Sequence, residues 1–195
     1  MRPIDQFLNL AGAAVAARAT GAAHPAAARL IALLADPPVE VVPSVPLRLA
    51  VCAQVPVAMA LMAPALAAPF AALEPALAWQ ARAIAGAPPG FAEGHANAHL
   101  LGPQGLEQRG GLVAGFSLVA PNITYPDHHH PPEELYLVLS GGEWWQAGGA
   151  WHAPGQGGIV HNPPGILHAM RGTDVPLLAL WFLLPDSPAA HAIGQ

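Results

Sequence analysis

A histidine-rich segment in the second half of the chain has the residue types and spacing of a metal site. It reads YPDHHHPPEELYLVLSG and runs from Tyr125 to Gly141. His128 and His130 lie two residues apart, so on an extended strand their side chains point to the same face. Glu134 follows a Pro-Pro corner that lets the chain turn into a strand. We therefore expect these three side chains to converge, although a solvated polar turn is the simpler alternative.

A second segment, GGIVHNPPGILHAM, supplies a third imidazole. Its His168 lies on or beside a strand that can pair with the first. Three imidazoles and one carboxylate form a mixed nitrogen and oxygen set that suits one divalent transition metal: Fe(II), Zn, Mn, Co or Ni. Ligand type alone does not select among these metals. His129 faces the opposite way on a regular strand, so we expect it behind the ligands or at the surface.

Both tyrosines of the chain fall within the first segment. Tyr136 shares a strand face with Glu134 and should point toward the metal. A phenol beside a divalent cation has a stabilised phenolate and can act as a general base. Tyr125 precedes the histidines, where a strand end would place it near the mouth of a barrel. An aromatic side chain that only fills the barrel is the alternative interpretation of Tyr136.

Strands must position these residues, and the pattern from about residue 97 predicts them. Short apolar runs alternate with Gly/Pro turns about every ten residues, which is typical of a β-sandwich or β-barrel. The first half is rich in Ala and Leu and predicts helices. We therefore expect a mainly β fold preceded by an α-helical segment. The predicted parts are a helical region over residues 1–95 that packs on the barrel, a β-barrel over 96–187 and a C-terminal tail over 188–195.

The composition excludes several classes of function. Apolar residues make up 53% of the 195 and charged residues 10%, and the formal net charge is −5. Without a basic cluster, no nucleic-acid partner is expected. Cys52 is the single cysteine, which rules out an intramolecular disulfide and fits a reducing cytoplasm. Prolines interrupt the uncharged stretch 49–73, so we expect short buried helices there and no membrane span.

The two segments together resemble the paired metal motifs of the cupin family. The first motif is HxH, three or four residues, Glu, six residues and Gly, and here its glutamate and glycine are Glu134 and Gly141. The second motif is Gly, five residues and PxGxxH, which here runs from Gly157 to His168. The resemblance implies a cupin barrel, a double-stranded β-helix or jelly-roll, with four metal ligands at the matching positions.

This sequence departs from the cupin pattern at two places. Asn122 stands where a glycine precedes the first motif, and Gly172 stands where an asparagine follows the second. Asparagine can adopt the left-handed backbone conformation that a glycine would supply. Neither departure removes a ligand.

A narrower resemblance concerns the reaction. The runs YP-HHHP-EELYLVLSG, EWW, PPGILHAM and PLLALWF are similar to bacterial cupin-type lyases of dimethylsulfoniopropionate (DMSP), which also carry a helical segment before the barrel. The resemblance is specific over residues 97–185. It implies the metal ligands His128, His130, Glu134 and His168, the base Tyr136 assisted by Tyr125, and a substrate pocket with Trp181 and Tyr125.

The implied reaction is a β-elimination that yields dimethyl sulfide and acrylate from a small carboxylate substrate. One alternative is another metal-dependent cupin enzyme: an oxygenase, an isomerase, or a lyase of a different small carboxylate. A non-catalytic ligand-binding cupin is a further alternative, and a tryptophan of the hydrophobic core is the alternative interpretation of Trp181. The low charge of the helical half also allows a homodimer.

Overall fold

The computed structural model describes residues 1–41 and 45–185. The first half of this part is helical, as its Ala- and Leu-rich composition predicts. Prolines stand in the first turns of several helices, where the missing N–H has no partner to lose. The helices are α1 (Pro3–Arg18), α2 (Ala23–Ala35), α3 (Val55–Ala60), α4 (Pro64–Leu73) and α5 (Phe91–Gly94), with 3-10 turns at Ala50–Gln54 and Glu74–Ala76.

The uncharged stretch 49–73 folds as short pieces. A 3-10 turn, α3 and α4 divide it. Pro56 and Pro64 lie in the first turns of α3 and α4, whereas Pro69 lies inside α4. Within the described ranges, no helix has the length and apolarity needed to cross a membrane. The predicted tail over 188–195 lies outside the described residues.

Two sheets follow, mostly antiparallel. The strands are β1 (Glu40–Val41), β2 (His95–Leu101), β3 (Glu107–Gln108), β4 (Val113–Val119), β5 (Thr124–His128), β6 (Glu133–Val138), β7 (Glu143–Gln146), β8 (Ile159–Asn162), β9 (His168–Arg171) and β10 (Leu177–Leu184). The larger sheet has the order β1-β3-β2-β4-β10-β6-β8, and the smaller has the order β5-β9-β7. The last long strand, β10, therefore lies between β4 and β6, and the chain crosses between the two sheets as a jelly-roll requires.

Strict alternation gives the larger sheet two different faces. On β6, Leu135 and Leu137 belong to the core that includes the helices. Tyr136 and Val138 point the other way, into a second core between the two sheets. β10 repeats this pattern, with Phe182 on the helical side. The inner face of the larger sheet is therefore available for a site, while the outer face packs on helices.

An aromatic cluster joins the helices to the outer face of the larger sheet. Phe116 on β4 lies at its centre, with ring centroids 5.5 Å from Phe7 on α1 and 5.0 Å from Phe70 on α4. Trp79 completes the cluster at 6.4 Å. All four side chains are fully buried. The helical segment and the barrel thus share one hydrophobic core.

A buried charge network fastens α1 to the same sheet. Arg109 donates to Glu107 at 2.6 Å and to Asp5 of α1 at 2.9 Å. Arg2 reaches both carboxylates from the helix N-terminus, and its hydrogen bonds help to lower the pKa of Asp5 to about 2. Each buried charge therefore has a partner, as burial demands.

The predicted fold class, a mainly β jelly-roll barrel behind an α-helical segment, is confirmed. Asn122, at the place of the motif glycine, has φ of 60° and is the only non-glycine with positive φ in the described chain. Asparagine is among the few non-glycine residues that tolerate this left-handed backbone conformation. Gly157 and Gly165 of the second motif also have positive φ, at 73° each.

We predict that Phe116→Ala lowers the free energy of unfolding by about 3–5 kcal/mol, because it leaves a cavity at the centre of the aromatic cluster. Chemical denaturation followed by circular dichroism measures the change. Val57→Ala, at a side chain that is 49% exposed, is the matched control and should change stability by less than about 0.5 kcal/mol. Equal effects of the two variants would contradict a core shared by helices and barrel.

Candidate metal centre and pocket

Strand pairing brings the two histidine segments together. β5 pairs with β9 in the smaller sheet, and His128 stands directly opposite His168 in that register. Glu134 enters from β6 in the larger sheet, where it pairs with Asn162 of β8. His130 lies in the corner between β5 and β6. The barrel thus closes around side chains from both of its sheets.

Three of the four predicted ligands form a compact group. Glu134 Oε2 lies 3.2 Å from His130 Nε2 and 3.3 Å from His168 Nε2. Within the described residues, these ligand atoms all lie within 4.8 Å of one another. His128 lies beside the group, with its ring centroid 4.2 Å from that of His168 and 6.3 Å from that of His130.

Backbone carbonyls fix the tautomers of these histidines. Each ring donates its Nδ1–H to a carbonyl two residues away: His128 to Pro126 at 2.9 Å, His130 to Pro132 at 3.0 Å and His168 to Ile166 at 2.9 Å. A carbonyl only accepts, so Nδ1 must carry the proton and Nε2 keeps its lone pair. Metal-ligating histidines in proteins are oriented in this way.

The resulting contact fits a bound cation. A carboxylate oxygen and two imidazole lone pairs are all acceptors, and acceptors this close need a proton or a metal between them. His168 Nε2 is buried and has no hydrogen-bond partner, although Glu134 lies 3.3 Å away. Nitrogen and carboxylate donors suit a divalent transition metal. The residues present therefore fit the predicted metal.

The surroundings of Glu134 and His128 favour the protonation states in which each can bind a metal: an ionised carboxylate and a neutral imidazole. Burial opposes the charge of Glu134, but the neighbouring imidazoles of His130 and His168 outweigh it and lower the pKa of the carboxyl to about 2. Burial and the neighbouring His168 lower the pKa of His128 to about 4. Near neutral pH, Glu134 is thus ionised and His128 is neutral. Asn162 donates to Glu134 Oε2 at 2.8 Å and orients the carboxylate.

Tyr136 lies inside the barrel on the same face of β6 as Glu134. Its side chain is 2% exposed. Burial, followed by the negative charge of Glu134, raises the pKa of this phenol well above its usual value. Without a cation at the centre, Tyr136 is therefore protonated at neutral pH.

Tyr125 reaches the same pocket from β5 and meets different neighbours. Its ring lies 4.8 Å from the His128 ring and edge-on to Phe91 at 5.0 Å. Its hydroxyl accepts from Asn97 Nδ2 at 3.3 Å and from the Arg82 guanidinium at 3.5 Å. The two tyrosines thus line one pocket, but Tyr136 lies beside a negative charge and Tyr125 beside a positive one.

Trp181 forms part of the pocket wall next to Tyr136. The two residues pair directly between β10 and β6. On the other edge of β10, Trp181 pairs with Gly115 of β4. A Cβ atom added to Gly115 would lie 2.4 Å from the indole. The indole thus extends over the glycine and meets the edge of His99 at 5.1 Å. Gly115 is needed for the tryptophan to lie across the sheet.

The pocket has a volume of about 260 Å³, and all the predicted site residues except His168 line it, together with several that sequence reasoning missed. Its size suits a small molecule. Asn97 and His99 lie two residues apart on one face of β2, but no sequence motif marks this strand. Arg82 comes from an irregular segment. The lining residues are Arg82, Asn97, His99, Ser117, Tyr125, His128, His130, Glu134, Tyr136, Met170, Trp181 and Leu183.

The remaining histidines of the barrel lie outside the compact group. His129 is exposed. His161 bonds to Glu133 at 2.7 Å, and the backbone of His152 pairs with that of Trp144. His95 is fully buried, and its ring accepts from the backbone N–H of Arg82 at 2.8 Å.

A jelly-roll barrel with a pocket lined by histidines and a glutamate on its inner face defines the class of this protein as a cupin. The family model of the dimethylsulfoniopropionate lyases matches residues 22–179. The chain belongs to the dimethylsulfoniopropionate lyase family.

Individual relatives agree with this family. The putative DMSP lyase DddL of Cereibacter sphaeroides is 35% identical over 88 residues, which are 45% of this chain and 37% of that protein. DMSP lyase DddQ of Ruegeria pomeroyi is 35% identical over 82 residues, which are 42% of this chain and 41% of that protein. These matches span about two fifths of each relative. The crystal structure of DddQ from Ruegeria pomeroyi superimposes with a TM-score of 0.69 and 25% identity, covering 96% of this chain and 94% of that one.

We predict that His168→Ala weakens zinc affinity by at least about 100-fold and that Asn162→Ala weakens it by about 10-fold, because the first removes an imidazole and the second frees the carboxylate. Competition with a fluorescent chelator measures the affinity, and elemental analysis measures the bound metal. His129→Ala is the matched control and should bind zinc as the unchanged protein does. Affinity of His168→Ala equal to that of the control would contradict the centre.

Proposed function

We propose that this protein is a metal-dependent carbon–sulfur lyase that cleaves DMSP into dimethyl sulfide and acrylate. One observation carries the proposal. In a chain of the DMSP lyase family, His130 and Glu134 line one small pocket with Tyr136 and Tyr125, and His168 lies 3.3 Å from the Glu134 carboxylate. The relative DddQ of Ruegeria pomeroyi bears the name of a DMSP lyase.

The proposed ligands of the metal are His128, His130, Glu134 and His168, and the proposed ion is Fe(II), Zn, Mn, Co or Ni. When bound, such an ion supplies positive charge: it acts as a Lewis acid toward the substrate carboxylate and favours the phenolate of a nearby tyrosine. The Nε2 lone pairs fixed by the backbone carbonyls support this assignment.

In the proposed reaction, Tyr136 is the base. Its oxygen takes the proton from the carbon next to the carboxylate, and the electron pair of that C–H bond forms the double bond of acrylate. The bond from the β-carbon to sulfur breaks at the same time, and sulfur leaves with its electron pair as neutral dimethyl sulfide. Tyr136 then returns the proton to solvent, so no redox change is needed.

An aromatic side chain has a role at the other end of the substrate. The sulfonium is a soft cation, and the face of Trp181 can hold it by cation–π attraction. Trp181 is 7% exposed, so it would contact the sulfonium with little competing water. Tyr125 assists at the carboxylate through its hydroxyl. Action in the cytoplasm and assembly as a homodimer stay predictions from the sequence.

Headspace gas chromatography of the purified, metal-loaded protein supplied with DMSP tests the activity. We expect dimethyl sulfide and acrylate in equal amounts, with no need for oxygen. Product that forms only when oxygen is present would indicate an oxygenase instead. If none of the five metals supports release of dimethyl sulfide, this protein is not a DMSP lyase.

We predict that Tyr136→Phe lowers kcat by about 10²–10⁴-fold, because it removes the general base and leaves the ring in place. Metal content should not change. Tyr125→Phe is the matched control, since it removes the hydroxyl of the other tyrosine, and its main effect should be on KM. Full activity of Tyr136→Phe at unchanged metal content would show that another group takes the proton.

A further inference from the structure

The side chains of Asn97 and Ser117 form a chain of hydrogen bonds that ends at Tyr125. Asn97 on β2 stands directly opposite Ser117 on β4 in the antiparallel register. Ser117 Oγ donates to Asn97 Oδ1 at 2.7 Å, and Asn97 Nδ2 donates to the Tyr125 hydroxyl at 3.3 Å. Because Ser117 occupies the amide oxygen, the amide nitrogen faces the tyrosine.

The backbone holds this chain in place. Asn97 exchanges two hydrogen bonds with Gln80, each of 2.8 Å, and Ser117 is 3% exposed. The same segment delivers Arg82, whose backbone N–H donates to the buried ring of His95 at 2.8 Å. The Arg82 side chain, which is exposed, donates to the Tyr125 hydroxyl at 3.5 Å. Asn97 and Arg82 are therefore both fixed relative to β2.

The two donors determine what the Tyr125 hydroxyl can do. A phenol oxygen has two lone pairs, and a guanidinium and an amide nitrogen only donate. With both lone pairs engaged, the hydroxyl keeps its own proton for a further partner in the pocket. That partner must be an acceptor. Arg82 is the one arginine or lysine among the described lining residues, and it is in none of the ion pairs found among the described residues, so the acceptor favoured here is anionic.

We infer that Asn97, held by Ser117, is a positioning residue that keeps the Tyr125 hydroxyl directed as a hydrogen-bond donor to a carboxylate oxygen of the substrate. The inference deepens the proposed function and rests on it for the identity of the substrate. It divides the pocket into a donor wall of Arg82, Asn97 and Tyr125, and an aromatic wall that contains Trp181. A short molecule with a carboxylate at one end and a soft cation at the other fits between these walls.

Calorimetric titration of the zinc-loaded full chain with propionate tests the inference, because propionate has the carboxylate and carbon chain of the proposed substrate without its sulfonium. We expect Asn97→Ala to weaken propionate binding by about 5- to 10-fold and Ser117→Ala by about 2- to 5-fold, since each loses a hydrogen bond that directs the donor. Asn9→Ala, on the exposed face of α1, is the matched control and should bind as the unchanged protein does.

A double-mutant cycle separates positioning from a structural role. If Asn97 acts through Tyr125, Asn97→Ala should cost less than about 2-fold when Tyr125→Phe is already present. In steady-state kinetics, Asn97→Ala should raise KM for DMSP and leave kcat nearly unchanged. Should Asn97→Ala fold poorly, the same cycle run with Ser117→Ala decides the question.

Three results would overturn the inference: no propionate binding by the unchanged protein, no effect of either Asn97→Ala or Ser117→Ala, or equal losses with and without the Tyr125 hydroxyl. Release of dimethyl sulfide from DMSP is measured separately on the same preparations. Its absence would reject the lyase activity, while the propionate titrations alone decide the role of Asn97.

Discussion

The barrel is organised around one contact that is unfavourable without a cation. The ionised carboxylate of Glu134 lies within 3.3 Å of two imidazole nitrogens whose lone pairs point at it. Burial makes such a contact more costly, because water cannot supply the missing donors. Asn162 supplies one donor to this carboxylate, and the rest of the demand falls on a proton or a metal. The backbone carbonyls keep the proton of each imidazole on Nδ1, so a change of tautomer cannot supply a donor at Nε2. The fold therefore creates a need for positive charge at the centre before any metal binds.

The same alternation that places this contact also stabilises the protein. Glu134 and Tyr136 face the pocket, while Leu135 and Leu137 pack against the helices. A slip of one residue in the pairing of β6 would exchange these two sets, with two leucines in the pocket and a carboxylate in the hydrophobic core. The free energy that the helices gain by packing on the outer face therefore also maintains the register of the site. The helical segment contributes to the chemistry in this way even where it does not line the pocket.

The predicted fold class and pocket composition differ in how far the sequence determines them. The two motifs are local: alternation along one strand places Glu134 and Tyr136 on one face, and a short Pro-Pro corner keeps His130 close to them, so the sequence alone indicates these three residues together. Asn122 likewise indicates a left-handed backbone conformation, because few other non-glycine residues tolerate one. Arg82, Asn97 and Ser117 had no such signal. Their meeting depends on the long-range register of β2 with β4 and on the path of an irregular segment, and neither leaves a spacing pattern in the sequence.

The two tyrosines show how one residue type obtains two roles from its surroundings. Burial and the adjacent Glu134 carboxylate both raise the pKa of Tyr136, so the phenol becomes a useful base only when positive charge at the centre compensates. Tyr125 lies next to a guanidinium and an amide that engage its oxygen and leave its proton to be donated. In the proposed elimination one tyrosine must take a proton from carbon while the carboxylate beside that carbon stays bound. A pocket with one tyrosine tied to the metal centre and the other tied to a donor wall meets both requirements, and neither tyrosine could serve in the place of the other.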